Sequence, residues 1–103
     1  MKVGIIGAVA QEVELLFEAL NEADRKVRVV RRGPLEFREG FLGGSPVVVV
    51  TCGVGKVNAA LCAQILISEF AVDAVINTGA AGGLARGLAV FDIVVSVDVV
   101  QHD

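Results

Sequence analysis

Three short apolar runs, each closed by glycine, restrict this chain more than any other feature. Residues 2–7 (KVGIIG), 47–51 (VVVVT, two residues before Gly53) and 73–78 (DAVINT, followed by Gly79) are short runs that read as strands. The first reads as a strand buried on both faces, as in parallel sheets covered by helices, the second as a buried strand and the third as a further strand. Between them the period changes. After the first run, Val13, Leu16, Phe17 and Leu20 recur at helical spacing while Glu14, Glu18 and Glu22 take the opposite side, which predicts a helix over 11–22. After the second, Gly53-Val54-Gly55 opens a helix to about Phe70. Its apolar residues Val57, Ala60, Leu61, Ile65, Leu66 and Ile67 cannot share one face, so the pattern predicts burial on several sides, in a core or a subunit interface.

The remaining segments read as strands. Residues 26–32 and 35–42 flank a hairpin turn at Arg32-Gly33-Pro34, and Gly43-Gly44-Ser45-Pro46 turns again into Val47–Thr51. Residues 91–100 (FDIVVSVDVV) place Phe91, Ile93, Val95, Val97 and Val99 on one face, which predicts a last strand. The resulting order β-α-β-β-β-α-β-β is an α/β arrangement with an inserted hairpin. Ligands of such sheets sit beyond the carboxyl ends of the strands, here the loops 7–11, 52–55 and 79–83.

Composition narrows the function classes. The chain has 103 residues, enough for one domain and too few for two. Nine Lys and Arg against twelve Asp and Glu give a formal charge of −3, with no basic stripe for a nucleic-acid backbone. Asp92 and Asp98 interrupt the longest apolar stretch, so nothing approaches the ~20 residues of a membrane helix. The N-terminus is a poor signal peptide, and Cys52 and Cys62 lie outside any metal or redox spacing, which fits two reduced, buried thiols of a cytoplasmic protein. Hydrophobic residues make up 54%, more than an isolated domain of this size is expected to hide. Burial against a second copy or a continuation is therefore expected. Because a strand pattern runs almost into Gln101-His102-Asp103, we expect the chain to be part of a longer domain.

Familiar phosphate motifs fail. Gly4-Ile5-Ile6-Gly7 lacks GxGxxG spacing, and Val54-Gly55-Lys56-Val57 shares only its GK pair with a Walker loop. Glu12 stands out, just past the end of the first strand and in the first turn of the predicted helix. A carboxylate there can simply answer the helix dipole. It can also accept a proton from water at the mouth of the sheet. The loop Gly79-Ala80-Ala81-Gly82-Gly83 has almost no side chain, which permits close backbone approach to a flat ligand or merely relieves crowding.

Three separated segments, MKVGIIGAVAQEVELL, VTCGVGKVNAA and VINTGAAGGL followed by DIVVS, resemble the N-terminal half of the 5′-methylthioadenosine/S-adenosylhomocysteine nucleosidases, within the purine and uridine phosphorylase superfamily. The resemblance covers essentially the whole chain and implies a three-layer α/β/α sandwich with a mixed central sheet, present here as the N-terminal part of a single nucleosidase domain. By position, it makes Glu12 the carboxylate that activates water. Ala8 and Val9 flank the ribose, Val54 sits near the sugar, and Ala80, Ala81 and Gly82 line the nucleoside. Two departures are visible: Ala80 stands where the family has Ser, and Phe91 where Gly is usual before Asp92.

The resemblance implies a nucleoside substrate, a cytoplasmic homodimer with helix 55–70 at or near its interface, a role in methionine salvage, and neither cofactor nor metal. Superfamily phosphorylases hold phosphate with arginines, whereas this chain has none before Arg25 and reads Asn77-Thr78-Gly79 at the other arginine position. Without a cation fork for a phosphate dianion, hydrolysis is expected over phosphorolysis. The family's general acid, an Asp, belongs to the C-terminal half, and neither Asp98 nor Asp103 matches it. His102 matches a His-Asp pair near the site, or is a polar strand end. A futalosine hydrolase and a non-catalytic interaction module are the alternatives.

Overall fold

Alternation along two central strands builds the molecule. A computed structural model describes residues 1–22 and 26–101, without the side chains of Asn21 and Glu22. β1 (Val3–Gly7) is followed by a 3-10 turn (Ala10–Glu12) and α1 (Glu14–Glu22). Next come β2 (Arg28–Arg32), β3 (Leu35–Leu42), β4 (Ser45–Thr51), α2 (Lys56–Ser68) and β5 (Ala74–Thr78). The five strands form one mixed sheet ordered β2-β3-β4-β1-β5. β1 runs parallel to both β4 and β5, while β2, β3 and β4 are antiparallel.

Successive side chains of a strand point to opposite faces. Ile5, Val47 and Val49 therefore meet Val13 and Leu20 on one side, with Leu16 and Phe17 packed against them. Ile6, Val48 and Val50 meet Cys62, Leu66 and Phe70 on the other. α1 and α2 thus cover opposite faces, which gives the three layers. α2 approaches β1 closely at Gly4, where an added Cβ would lie 2.9 Å from Leu66 Cδ1. Both hairpins use the turns that match strand twist. Gly33 (φ +58°) leads Pro34, and Gly43 and Gly44 (φ +56° and +82°) occupy both central positions of the second turn.

Four expectations change. The helix expected over 11–22 begins as a separate 3-10 turn, so Glu12 precedes α1 rather than opening it. α2 buries Cys62 and Leu66 but leaves Val57, Leu61 and Ile67 more than half exposed, because one sheet face can cover only one side of a helix. The strand expected at 91–100 does not form. An apolar face is not enough for a strand, which also needs a ladder partner and a cover. Here Ile93, Val97 and Val99 are almost fully exposed, and Phe91 has φ +76°, outside the β region. The order of elements accordingly ends at β5. His102 and Asp103 lie outside the described residues, as does the side chain of Glu22.

Candidate active site

The parallel register brings three chain exits to one edge. Gly7 pairs with Thr51 on one side and Thr78 on the other, so the loops after β1, β4 and β5 start level. Cys52 N–H donates to Gly7 O at 2.8 Å and carries the β1–β4 ladder one step further. Because β1 feeds α1 and β4 feeds α2 on opposite faces, the two loops part at this edge.

Glu12 lies at this edge, in the loop after β1, half-buried. The chain leaves β1 through an extended Val9 and tightens into the 3-10 turn, with Glu12 N–H donating to Val9 O at 3.1 Å. The Glu12 side chain folds back, as the acidic member of a capping box does. Its Oε1 accepts from Ala8 N–H at 2.8 Å and Val9 N–H at 3.1 Å. Its Oε2 accepts from Ala80 N–H at 3.1 Å, from the loop after β5. Two glycines make this seat possible. A Cβ on Gly79 would lie 2.7 Å from Oε2, and one on Gly7 would lie 2.7 Å from Val13 Cγ1.

The amides of Val9, Ala80 and Ala8 together hold the Glu12 carboxyl below its ordinary value of 4.5, against a smaller opposing effect of burial. A carboxylate offers about four acceptor sites. Among the described residues three are filled, two on Oε1 and one on Oε2, which leaves one on Oε2. The site thus presents a fixed anion with one lone pair free for a water molecule.

Of the other residues singled out by sequence, Ala8, Val9 and Ala80 reach Glu12 through their backbone amides. Val54 is 74% exposed between two positive-φ glycines of the β4–α2 loop. Ala81 and Gly82 are exposed beyond Ala80. Asn77 and Asp98 are exposed as well. Sequence reasoning missed Gly7 and Gly79 as the residues that make room for the carboxylate, although both close an apolar run.

Cys52 and Cys62 are free and buried. Burial pushes the Cys52 thiol up, a backbone hydrogen bond partly offsets this, and the nearby Glu12 charge adds to it. Cys62 is pushed up to about 11, by burial first and by Cys52 second. Both are protonated thiols at neutral pH and poor nucleophiles. Among the described residues no three His, Cys, Asp or Glu side chains gather to hold a metal, and no helix is long and apolar enough to cross a membrane. A cleft of about 230 Å³ lined by Lys2, Lys26, Arg28 and Phe41 lies at the opposite, amino-terminal end of β1.

A sequence profile of the phosphorylase superfamily matches residues 2–103. The chain belongs to that superfamily. A 5′-methylthioadenosine/S-adenosylhomocysteine nucleosidase of Exiguobacterium is 48% identical over 104 aligned positions, which cover the whole of this chain and 42% of that relative. The chain therefore spans less than half the length of such relatives. A solved nucleosidase of the same name from Colwellia psychrerythraea, in complex with adenine, superposes with a TM-score of 0.80 at 46% identity, over 86% of this chain and 35% of that one. A futalosine hydrolase of Helicobacter pylori superposes at 0.74 with 27% identity, over 86% and 37% of the two chains. The mixed sheet with helices on both faces is the superfamily fold.

Proposed function

We propose that this chain supplies the N-terminal part of a single nucleosidase domain. The complete protein hydrolyses the N-glycosidic bond of 5′-methylthioadenosine or S-adenosylhomocysteine and releases adenine. The observation that carries this reading is the seating of Glu12, a carboxylate fixed by three backbone amides from two loops with one acceptor site left open. Cleavage of such a bond leaves positive charge on the ribose and needs a positioned water on its far side. The anion of Glu12 faces the first and orients the second. Its lowered pKa keeps it ionised in the resting site, and substrate that displaces water from around it raises its basicity. Ala8 and Val9 flank the ribose, Val54 packs near the sugar, and Ala80, Ala81 and Gly82 line the nucleoside with backbone. Water rather than phosphate is the nucleophile, because no arginine precedes Arg25 and Asn77 stands at the other phosphate position.

The same reading makes the protein a cytoplasmic homodimer in methionine salvage that needs no cofactor. The exposed Val57, Leu61 and Ile67 on α2 supply the apolar contact for a second copy. The likeness to a futalosine hydrolase supports a second reading, in which the same chemistry acts on another nucleoside.

The test is an assay of the full-length protein for released base, with and without phosphate. Adenine released from methylthioadenosine at a rate indifferent to phosphate is expected. Phosphate dependence would overturn the hydrolytic reading, and activity only on a hypoxanthine-bearing nucleoside would favour the second. Sedimentation as a monomer at micromolar concentration would overturn the dimer.

A further inference from the structure

The β4–α2 loop is a chain of weak backbone held by three successive anchors. Gly53 and Gly55 have φ of +84° and +102°, so the loop has little stiffness of its own. The carbonyls of Gly53, Val54 and Gly55 are nevertheless all occupied. Gly53 O accepts from the Cys52 thiol at 3.0 Å, and Gly55 O accepts from Ala59 N–H at 3.1 Å as the first turn of α2 closes. Between them, Val54 O accepts from Asn58 Nδ2 at 2.8 Å. This middle bond is the shortest of the three, and a side-chain amide supplies it. The fit is close: a Cβ on Gly53 would stand 3.3 Å from Asn58 Nδ2.

We propose that Asn58 is a positioning residue, whose carboxamide holds Val54 at the height where its exposed side chain meets the sugar of the bound nucleoside. The proposal rests on the placement of Val54 in the proposed nucleosidase site and adds a residue that acts through it. Asn58 touches no reacting atom. It converts a Gly-Val-Gly segment, which glycine freedom would leave mobile, into a fixed wall. Loss of the bond should therefore weaken nucleoside binding and leave the chemical step nearly alone, since Glu12 is seated by other loops.

The variants Asn58→Ala and Asn58→Asp separate positioning from stability. Asn58 is the third residue of α2, where an acid is favoured by the helix dipole, yet a carboxylate cannot donate to Val54 O. Asn58→Asp should therefore melt at or above the parental temperature and still lose the clamp. In the full-length protein, backbone order parameters at residues 53–55 should fall from about 0.85 to below about 0.6 in both variants. KM for methylthioadenosine should rise about 3- to 10-fold, the worth of one neutral hydrogen bond, with kcat within about twofold of the parent. Unchanged order parameters would overturn the clamp. Lower order with an unchanged KM would overturn its link to binding. A parent that cleaves no nucleoside would instead remove the functional reading, and the order parameters would still decide the clamp.

Discussion

The carboxylate of Glu12 and the backbone amide of Ala80, 68 residues apart in sequence, meet at 3.1 Å. That single contact joins the loop after β1 to the loop after β5 and defines the site. It is made through backbone, so the alanine at position 80, where the resemblance expects serine, does not weaken it.

Replacing Glu12 by Gln keeps the shape and removes the charge. In the full-length protein, turnover should fall about 10²- to 10⁴-fold, the usual contribution of a general base. Nucleoside binding should survive. Near-normal turnover in a variant with a lowered melting temperature would reduce Glu12 to a capping charge.

Gly79→Ala should act on the same carboxylate from outside. Its Cβ would stand 2.7 Å from Oε2, so the Glu12 side chain must leave its seat while the rest of the fold stays intact. Activity should drop by at least an order of magnitude with a melting temperature close to the parent. Displacement of Glu12 in a crystal structure of the variant would check the cause directly.

Acid should undo the contact with a defined sign. The folded-state carboxyl of Glu12 lies below 4.5, owing to the amides of Val9, Ala80 and Ala8. The stabilisation is therefore complete above the unfolded value and is lost as pH falls through the folded one. Urea titrations of the parent and Glu12→Gln, from about pH 3 to 6, should show a stability difference that grows with pH and then levels off. Glu36, lowered by Arg31 and then Arg38, has the same sign in both proteins and cancels in the difference.

Leu66 is fully buried on α2 and packs against Gly4 and the strand residues of its face. Leu66→Ala should cost about 2.7–5 kcal/mol in equilibrium denaturation, the range for a leucine cavity that cannot collapse. The closeness of Gly4 favours the lower half of that range, because α2 can settle towards β1.

Phe91 is a non-glycine residue at φ +76°, with its ring in solvent. Phe91→Gly should relieve about 1–2 kcal/mol of left-handed strain, offset by about 0.5–1 kcal/mol of glycine entropy. The turn it belongs to, closed by Asp92 N–H to Ala89 O at 3.1 Å and Ala89 N–H to Asp92 Oδ2 at 2.8 Å, should gain protection in amide exchange. Unchanged protection would show that the strain is relieved elsewhere.

Sequence alone determined the buried strands β1 and β4, the position of β5, whose middle residues are nevertheless exposed, the two hairpins and the apolar face of α1. Each is set by a local period or by glycine at a turn, and neighbours in sequence carry that information. It also singled out Glu12 and the three loops, because a lone acid and small residues at strand ends are visible without a fold. Tertiary structure decided the rest. Only the parallel register could bring Ala80 to Glu12, and only the covering of opposite sheet faces by α1 and α2 could part the loops beside it. The alternation in residues 91–100 looked like a strand, yet a strand is completed by its neighbour, and none among the described residues pairs with this segment. The all-round apolar surface of α2 gave the helix but not its buried side, since the sheet selects Cys62 and Leu66 by position rather than by hydrophobicity.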